Sequence, residues 1–361
     1  MSDGETGKRV AVIVPAADAA ATIGEMLASV LAQSLPACEV VVVDDGSRDD
    51  TVCIVRAIAA THPSVRLVRQ SRQGPSSARN AGIAATQARL IAPIDADDVW
   101  HPDYLALCVP ALEAQAGASM VYARHHLINA SGRTVRGPMP FSVAGGAFGP
   151  MLLTNFVGNG SSAIFLRDAV IRAGGYAPPL ADWAGAEDYL LQLRVAAHGD
   201  VVCVARDLVG YRKSDSSLSS DHARAYRGRL AAVERALAET GPAPRGLLAW
   251  VRGDACRTLA FQLLREHRAW QAALLLWEAL WLDWRGLLRD IVLRLRNFVR
   301  RALGLGTGGE QVIDRLLARR LDWLAQAMPH APSPSATVTA AGTASAGQVC
   351  ARPVIASDGA G

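Results

Sequence analysis

The segment Leu90–Trp100 has the sequence L-I-A-P-I-D-A-D-D-V-W, in which a short apolar run ends in a group of carboxylates. The apolar run is typical of a buried strand. The carboxylates of Asp95, Asp97 and Asp98 repel one another and resist burial unless a cation lies among them. Mg²⁺ and Mn²⁺ bind carboxylate oxygens together with substrate phosphates. The segment therefore indicates a divalent-metal site at a strand end or, alternatively, an acidic turn, since Asp also favours turns.

Strands and helices alternate on the N-terminal side of this segment. The run V-A-V-I-V at Val10–Val14 is expected to end at Pro15, and E-V-V-V-V follows at Glu39–Val43. Segments with helical spacing separate these runs. The alternation predicts an α/β fold with a doubly wound, mostly parallel sheet flanked by helices. Because ligands bind outside the carboxyl ends of such strands, we expect Pro15, Asp45 and Asp95 to converge.

The character of the chain changes after residue 220. Residues 221–328 are dominated by Ala, Leu and Arg at helical spacing and predict a helical appendage. Residues 329–361 lack core-forming content and predict a disordered tail. The predicted division is an α/β domain at 1–220, the appendage at 221–328 and the tail at 329–361.

The composition narrows the class of protein. The chain has 361 residues, of which 50% are hydrophobic, so a substantial core can form. A net charge of +4, with Arg far outnumbering Lys, favours phosphate or carboxylate partners without requiring nucleic acid. The 6 cysteines are scattered and favour free thiols in a reducing compartment. With neither a signal-peptide core nor a membrane-spanning run, the sequence predicts a cytoplasmic protein, at most attached to the inner face of the membrane.

Short motifs occur in a fixed order along the chain from residue 10 to about residue 219. They are V-A-V-I-V-P-A-A-D, S-V-L-A-Q-S, V-V-V-V-D-D-G-S, G-P-S-S-A-R-N-A-G, I-D-A-D-D, G-N-G-S-S, A-G-G-Y and A-E-D-Y. This ordered set resembles the inverting GT-A glycosyltransferases of family 2. The resemblance implies a Rossmann-like GT-A fold and sugar transfer from a nucleotide sugar, UDP-linked, to a hydroxyl of a saccharide or lipid-linked acceptor. It also implies a place in cell-surface polysaccharide or glycolipid synthesis.

The same resemblance assigns roles to residues at the strand ends. Pro15 and Ala17 would line the nucleotide pocket. Asp45 would accept hydrogen bonds from the base or ribose, unless it only stabilises a turn. Asp95 would hold the ribose, and Asp97 would hold the Mn²⁺ or Mg²⁺ that bridges the diphosphate.

The resemblance places the catalytic base in A-E-D-Y. An acceptor hydroxyl is a poor nucleophile at neutral pH, so Asp188 would take its proton while Glu187 positions the acceptor or substitutes as the base. The alternative is that both acids only favour a helix N-terminus. Arg79 would face the nucleotide, or else be a solvated helix residue. Trp183 would stack on the acceptor sugar, or else be a packed core residue.

Two positions depart from the pattern of these relatives. Asp18 stands where many of them carry Asn. Lys213 follows the Tyr211–Arg212 pair where relatives often have a His near a second metal or phosphate contact. Lys213 would then contact phosphate directly, or the loop is remodelled. The adjacent His125 and His126 have no partner spacing for a metal site, and we expect them to be structural or exposed.

The segment Leu287–Leu303 mixes Arg with apolar residues at helical spacing. It predicts either an amphipathic helix on an anionic membrane surface or a helix packed on the catalytic domain.

Two other classes of protein could have the same strand–helix layout: a sugar-nucleotide pyrophosphorylase and a catalytically inactive scaffold or binding module. A sugar-nucleotide pyrophosphorylase would need a basic phosphate loop after the first strand, and P-A-A-D-A-A-A contains no basic residue. A catalytically inactive scaffold or binding module would not need the intact carboxylates of Asp95, Asp97 and Asp188.

Overall fold

The computed structural model describes residues 9–137, 141–178, 186–213, 222–241, 246–302 and 337–340. The first half contains β1 (Val10–Ala16), α1 (Ile23–Leu31), β2 (Glu39–Asp45), α2 (Thr51–Thr61), β3 (Val65–Gln70), α3 (Pro75–Ala84), β4 (Leu90–Pro93), β5 (Val99–Trp100), α4 (Tyr104–Ala114), β6 (Ala118–Ile128), β7 (Thr134–Arg136) and β8 (Phe141–Ala144). The remainder contains α5 (Phe148–Leu153), a 3₁₀ turn (Gly160–Ser162), β9 (Ala163–Leu166), α6 (Arg167–Arg172), α7 (Glu187–Ala196), β10 (Asp200–Arg212), α8 (His222–Thr240), α9 (Leu247–Arg265), α10 (Ala269–Ala302) and β11 (Thr337–Ala340).

The main sheet has the strand order β3-β2-β1-β4-β9-β6-β10-β5, and β7 pairs with β6. Strands β1 to β4 are parallel to one another, which confirms the predicted doubly wound half. The sheet becomes mixed at β9, which is antiparallel to both β4 and β6. The predicted α/β fold is therefore confirmed, with an antiparallel strand inserted at the centre of the sheet.

Strand β1 is longer than the sequence predicts. It continues through Pro15, which pairs in register with Val43 of β2. The pairing of β1 with β4 has already ended at Ile13 and Pro93, so one edge of β1 is free at Pro15. A residue that donates no backbone hydrogen bond is tolerated at such an unpaired edge. The expectation that Pro15 ends the strand was therefore wrong.

The core consists of two large clusters of buried side chains. Alternate residues of β1 divide between them, with Ile13 in the first cluster and Val12 in the second, because side chains alternate across a strand. Helices α1 and α4 contribute to the second cluster. Helix α7 contributes Leu190 to the first cluster, which also contains Val233 of α8 and Val251 of α9. Helices α8 and α9 thus complete the core around α7.

The described residues of the predicted appendage, 222–241 and 246–302, contain the helices α8, α9 and α10, and residues 303–328 lie outside the described part. Within the segment predicted to be a disordered tail, Thr337–Ala340 forms β11 and pairs antiparallel with β8. The remainder of that segment is not among the described residues, so the domain boundaries stay a prediction. In the described part of the chain, no helix is both long and apolar enough to cross a membrane.

Candidate active site

The loop that follows β1 is held in place by the loop that follows β2. Three successive backbone N–H groups donate hydrogen bonds across the gap: Asp18 to Ser47 Oγ (3.0 Å), Ala19 to Thr51 Oγ1 (2.8 Å) and Ala20 to Asp49 Oδ2 (2.9 Å). The D-G-S-R-D-D-T sequence therefore shapes the loop that contains Ala17. Both Pro15 and Ala17 lie at the carboxyl end of β1, as expected.

Asp18 fits this loop despite replacing the Asn of many relatives. Its φ of 52° lies in the left-handed region, which Asp and Asn both tolerate. The Arg48 backbone N–H donates to Asp18 Oδ1 at 2.7 Å, and Arg72 donates to its other oxygen. These two hydrogen bonds lower the pKa of Asp18. Asp18 is thus compatible with the left-handed backbone at this position and forms an ion pair with Arg72.

Asp45 is buried at the end of β2, where its carboxylate organises the segment that leads into α3. Gln70 Nε2 and the Gln73 backbone N–H donate to Oδ1 at 2.7 and 2.8 Å, and the Gly74 N–H donates to Oδ2 at 2.8 Å. A carboxylate has about four acceptor positions, so three protein hydrogen bonds leave little capacity for a ligand. Binding of base or ribose by Asp45 stays a prediction.

Arg79 lies at the centre of the site and is only 4% exposed, so the alternative of a solvated helix residue is wrong. Helix α3 carries it beneath the sheet edge, where Nη2 donates to Asp95 Oδ1 at 2.5 Å. Its Nη1 lies 3.5 Å from Glu187 Oε1 and 3.4 Å from Asp188 Oδ1. The guanidinium also lies 5.2 Å from the ring centroid of Tyr176. The guanidinium of Arg79 thus joins the end of β4 to the start of α7.

The hydrogen-bonding capacity of this cluster is not used up. Among the described residues, Arg79 Nε, Arg79 Nη1 and Asp188 Oδ1 are buried and have no hydrogen-bond partner, although Nη1 lies at ion-pair distance from both carboxylates. The side-chain nitrogen and oxygen of Asn159 are likewise buried and have no hydrogen-bond partner among the described residues. Unpaired buried polar atoms are rare in folded proteins and indicate a place for a polar ligand or water.

The charges of the cluster shift the pKa values of Arg79 and Asp188 for different reasons. Desolvation opposes the charge of Arg79, but Asp188 and Asp95 outweigh it and raise the pKa of Arg79 well above its ordinary value. For Asp188, burial is the largest effect and raises its pKa to about 7, since the charges of Asp95 and Glu187 offset much of the attraction of Arg79. Asp188 can therefore exchange a proton near neutral pH.

The 3₁₀ turn leaves space for the Asp188 carboxylate. Gly160 lies so close that a Cβ atom there would be 2.8 Å from both carboxylate oxygens of Asp188. The adjacent Ser161 is fully buried and connects the turn with the end of β4: its Oγ accepts from the Asp95 backbone N–H at 3.0 Å and donates to Asp98 Oδ2 at 2.5 Å. The G-N-G-S-S motif thus positions the aspartates, and the sequence alone did not predict this role for its individual residues.

The three aspartates of D-A-D-D have different environments. Asp98 is fully buried between Ser161 and Arg212, whose backbone N–H donates to Oδ1 at 2.8 Å. Burial, with the charges of Asp95 and Asp97, raises the pKa of Asp98 well above its ordinary value. Asp95 is 30% exposed and faces Arg79. Burial and the charge of Asp95 raise the pKa of Asp97 to about 6.

These environments fit a divalent cation held by Asp97, with the carboxylate of Asp95 beside it. Within the described residues no side chain donates a hydrogen bond to the Asp97 carboxylate, and burial, with the charge of Asp95, makes its ionised form costly, so a bound cation would stabilise that form. The same part of the chain contains no cluster of three or more His, Cys, Asp or Glu residues that would hold a metal alone. Two carboxylates suit Mg²⁺ or Mn²⁺ when substrate phosphates supply further ligands.

Arg212 fixes the acidic turn from the other side, a role that the sequence did not reveal. Its side chain donates to Asp97 O at 2.7 Å, to Asn129 O and Ala130 O at 3.0 and 2.8 Å, and to Glu25 Oε2 at 2.7 Å. Because these contacts join residues far apart in the chain, the Y-R dipeptide alone could not predict them.

Several predicted features lie at or beyond the limits of the described chain. Trp183 lies outside the described residues. Lys213 precedes the undescribed residues 214–221, and its backbone N–H donates a hydrogen bond to Ile128 O at 2.9 Å. A phosphate contact by Lys213 stays a prediction. His125 packs against Tyr211, with ring centroids 5.8 Å apart, in agreement with a structural role.

The sequence is similar to known glycosyltransferases. Residues 11–170 match the family model described as Glycosyl transferase family 2. Succinoglycan biosynthesis protein ExoO of Rhizobium meliloti is 41% identical over 128 residues, which cover 35% of this chain and 36% of that protein. Chondroitin synthase of Escherichia coli is 31% identical over 126 residues, covering 35% of this chain and 18% of that protein. The chain thus matches well under two thirds of the length of these relatives.

Solved structures with the same fold include two proteins in complex with a nucleotide sugar. TarS residues 1–349 of S. aureus, in complex with UDP-GlcNAc, has a TM-score of 0.53 at 16% identity, covering 76% of this chain and 91% of that one. The mannosyltransferase PcManGT of Pyrobaculum calidifontis, in complex with GDP-Man and Mn²⁺, has a TM-score of 0.54 at 22% identity, covering 81% of this chain and 80% of that one. At these identities the likeness concerns the fold, and it confirms the predicted GT-A architecture.

Proposed function

The chain carries a family 2 glycosyltransferase domain, and on that premise we propose that it transfers a sugar from a nucleotide sugar to a hydroxyl of a saccharide or lipid-linked acceptor. The observation that carries the proposal is the cluster in which Arg79 joins Asp95 to Glu187 and Asp188 beside Asp97. Synthesis of a cell-surface polysaccharide is the process that fits the succinoglycan and chondroitin relatives. A cytoplasmic location fits the 5 described cysteines, which are all free thiols.

Asp188 is the proposed general base, and the transfer proceeds with inversion. Its pKa of about 7 gives a large ionised fraction at neutral pH and enough basicity to take a proton from an acceptor hydroxyl. Arg79 orients the carboxylate and limits its basicity through its positive charge. Glu187, which directly precedes Asp188 on α7, positions the acceptor. Trp183 supplies a stacking surface for the acceptor.

The donor occupies the edge formed by the ends of β1, β2 and β4. Pro15 and Ala17 line the nucleotide pocket, while Asp45 accepts a hydrogen bond through the capacity that its protein contacts leave free. Asp97 holds the divalent cation, and Asp95 holds the ribose of the donor. When bound there, Mn²⁺ or Mg²⁺ would stabilise the negative charge that develops on the departing nucleoside diphosphate.

The experiment that tests this proposal is titration calorimetry with UDP and GDP, each with and without Mn²⁺. The wild-type chain is compared with Asp97→Asn and with a matched control, Asp168→Asn. Asp168 is exposed and follows β9, whose end lies beside the start of β4, so it lies away from the acidic turn.

We expect metal-dependent binding of UDP that is lost in Asp97→Asn and retained in the control. Preference for GDP would correct the donor class but keep the site. Absence of nucleotide binding under all conditions would overturn the proposal in favour of a non-catalytic scaffold.

A further inference from the structure

Helix α10 exposes a continuous stripe of large apolar side chains. The members of this α10 stripe are Trp270, Leu274, Trp277, Trp281, Trp284 and Leu288. Trp270, Leu274, Trp277 and Trp281 follow one another at intervals of three or four residues, so they share one side of the first part of α10. Trp284 and Leu288 are four residues apart and share one side of the part that follows Asp283. Trp270 and Trp281 are each 75% exposed. An exposed apolar surface of this extent marks an interaction site rather than an ordinary protein surface.

The opposite side of α10 already attaches the helix to the protein. Ala272 belongs to a small buried cluster with Ala260 and Leu263 of α9. Further along, Asp283 and Asp290 accept hydrogen bonds from the buried Arg257 of α9 at 3.1 and 2.9 Å. The α10 stripe is therefore not needed to hold the helix in place.

The helix changes direction at Asp283, and both halves expose tryptophan. Asp283 has non-helical backbone angles, and its Oδ1 accepts from the Gly286 N–H at 3.0 Å, which starts a new helical segment as an N-cap does. Trp277 and Trp281 precede this break, and Trp284 follows it. The exposed tryptophans thus extend over both segments.

The chemistry of the α10 stripe favours a lipid surface over a second copy of the chain. Four of its six members are Trp, whose amphipathic ring suits the headgroup region of a membrane. A seam between two helices favours Leu, Ile and Val at such spacings. Interfacial helices combine Trp and Leu on one side with basic residues, and anionic lipids attract the latter.

The distribution of charge along α10 matches that combination. Two of its acids, Asp283 and Asp290, are engaged with Arg257, whereas Arg285 is exposed beside the ring of Trp284, 5.3 Å from its centroid. The sequence of the same helix continues with Arg289, Arg294, Arg296, Arg300 and Arg301. The basic content therefore rises along the helix.

We propose that the α10 stripe binds the surface of an anionic membrane, with its tryptophans in the headgroup region. The surface begins at Trp270, well before the Leu287–Leu303 segment that the sequence indicated. This binding requires no donor or acceptor, so it is independent of the proposed transfer reaction.

Flotation of the full chain with vesicles tests this proposal. One set of vesicles is phosphatidylcholine alone, and the other contains phosphatidylglycerol as well. The variants are Trp277→Ser with Trp281→Ser, and Arg285→Glu. The matched control is Val135→Ser with Ile171→Ser, which removes two exposed apolar side chains elsewhere.

We expect the wild-type chain to bind the anionic vesicles more strongly than the neutral ones. The double Trp variant should lose at least about tenfold in partition coefficient, because it removes two interfacial anchors. Arg285→Glu should weaken binding to the anionic vesicles alone. The control should bind like the wild type, and circular dichroism should show equal helix content in all variants.

Three outcomes would overturn the proposal. The first is a wild-type chain that binds neither kind of vesicle and sediments as a monomer, because other residues of the chain would then cover the stripe. The second is an unbound wild-type dimer that dissociates in the double Trp variant, because the occupant would then be a second copy. The third is equal partitioning of the wild type and the double Trp variant.

Discussion

Two buried arginines, Arg79 in the candidate active site and Arg257 between α9 and α10, are each surrounded by three carboxylates. Arg257 is fully buried and donates to Asp290 at 2.9 Å, to Asp283 at 3.1 Å and to Asp254 at 3.4 Å. Arg79 is also buried but makes one short hydrogen bond, to Asp95, and leaves Nε and Nη1 without partners among the described residues.

The difference separates a structural ion cluster from a functional one. A buried donor without a partner costs about 1–3 kcal/mol, so a fold keeps one where another requirement outweighs stability. Every nitrogen of the Arg257 guanidinium has a carboxylate partner, and the cluster joins two helices. The spare donors of Arg79 lie beside a carboxylate whose pKa is about 7, as expected of a site that waits for polar ligand atoms.

The largest effect is expected from exchanging a carboxylate for an amide in each cluster. Asp188→Asn should lower kcat by about 10²- to 10⁴-fold, because the proposed base is lost while the side chain keeps its size. Asp254→Asn, the matched change beside Arg257, should leave kcat within about twofold of the wild type and lower stability instead. Steady-state release of nucleoside diphosphate measures kcat in both variants, and urea unfolding measures the stability of Asp254→Asn. Retention of more than a tenth of the activity in Asp188→Asn would exclude it as the base.

Replacing the arginine of each cluster should again affect stability in one cluster and catalysis in the other. Arg257→Met should lower the free energy of unfolding by about 3 kcal/mol, because three carboxylates at the α9–α10 junction lose their counterion. Arg79→Met should instead affect kcat more than stability. Urea unfolding and kinetics of the folded variants provide the two measurements. Equal losses of stability would contradict the distinction between the two clusters.

A smaller effect is expected from adding one methyl group to each cluster. Gly160→Ala places a Cβ 2.8 Å from the Asp188 carboxylate and should lower kcat by about ten- to a hundredfold, because displacement of a reacting group by a fraction of an ångström is costly. In Gly253→Ala the new Cβ lies 3.1 Å from Arg257 Nη1, and the expected change is a modest decrease in Tm with kcat retained. A Gly160→Ala variant in which only Tm changes, with kcat retained, would contradict the distinction between the two clusters.

The smallest effect is a pH dependence restricted to one cluster. Asp188 must be ionised to act as a base, and burial raises its pKa to about 7. The rate should therefore rise with pH up to about 7, level off above it, and fall about tenfold for each unit below. A profile of kcat against pH in Arg257→Met should have the same midpoint as the wild type. A wild-type midpoint near the ordinary value of an Asp would rule out this assignment.

The sequence predicted the parts of this fold that depend on local periodicity. Apolar runs and helical spacing identified β1, β2 and β4, and the rule for strand ends brought Asp45 and Asp95 to one edge. The extension of β1 through Pro15 was missed, because it depends on where the neighbouring strand ends.

The contacts that organise the site were beyond the reach of sequence patterns. Arg79 and Asp188 are more than a hundred positions apart, and no local signal shows that α3 and α7 meet around one guanidinium. Asp98 is buried, unlike Asp95, because it forms hydrogen bonds with Ser161 and Arg212, which belong to elements distant in the sequence. Likewise, exposure of the α10 stripe depends on which side of the helix α9 covers.

The packing of α7 against α8 and α9 has a consequence for how the protein is made. Every candidate catalytic residue has been synthesised once the ribosome passes Asp188, but Val233 and Val251, which complete the core around α7, are added only later. Domains fold progressively as they emerge, beginning with the N-terminal part. The strands that carry the aspartates can therefore assemble early, while the helix that bears the base lacks its packing against α8 and α9 until α9 leaves the ribosome. A nascent chain thus contains the reactive groups before it has the packing that aligns them.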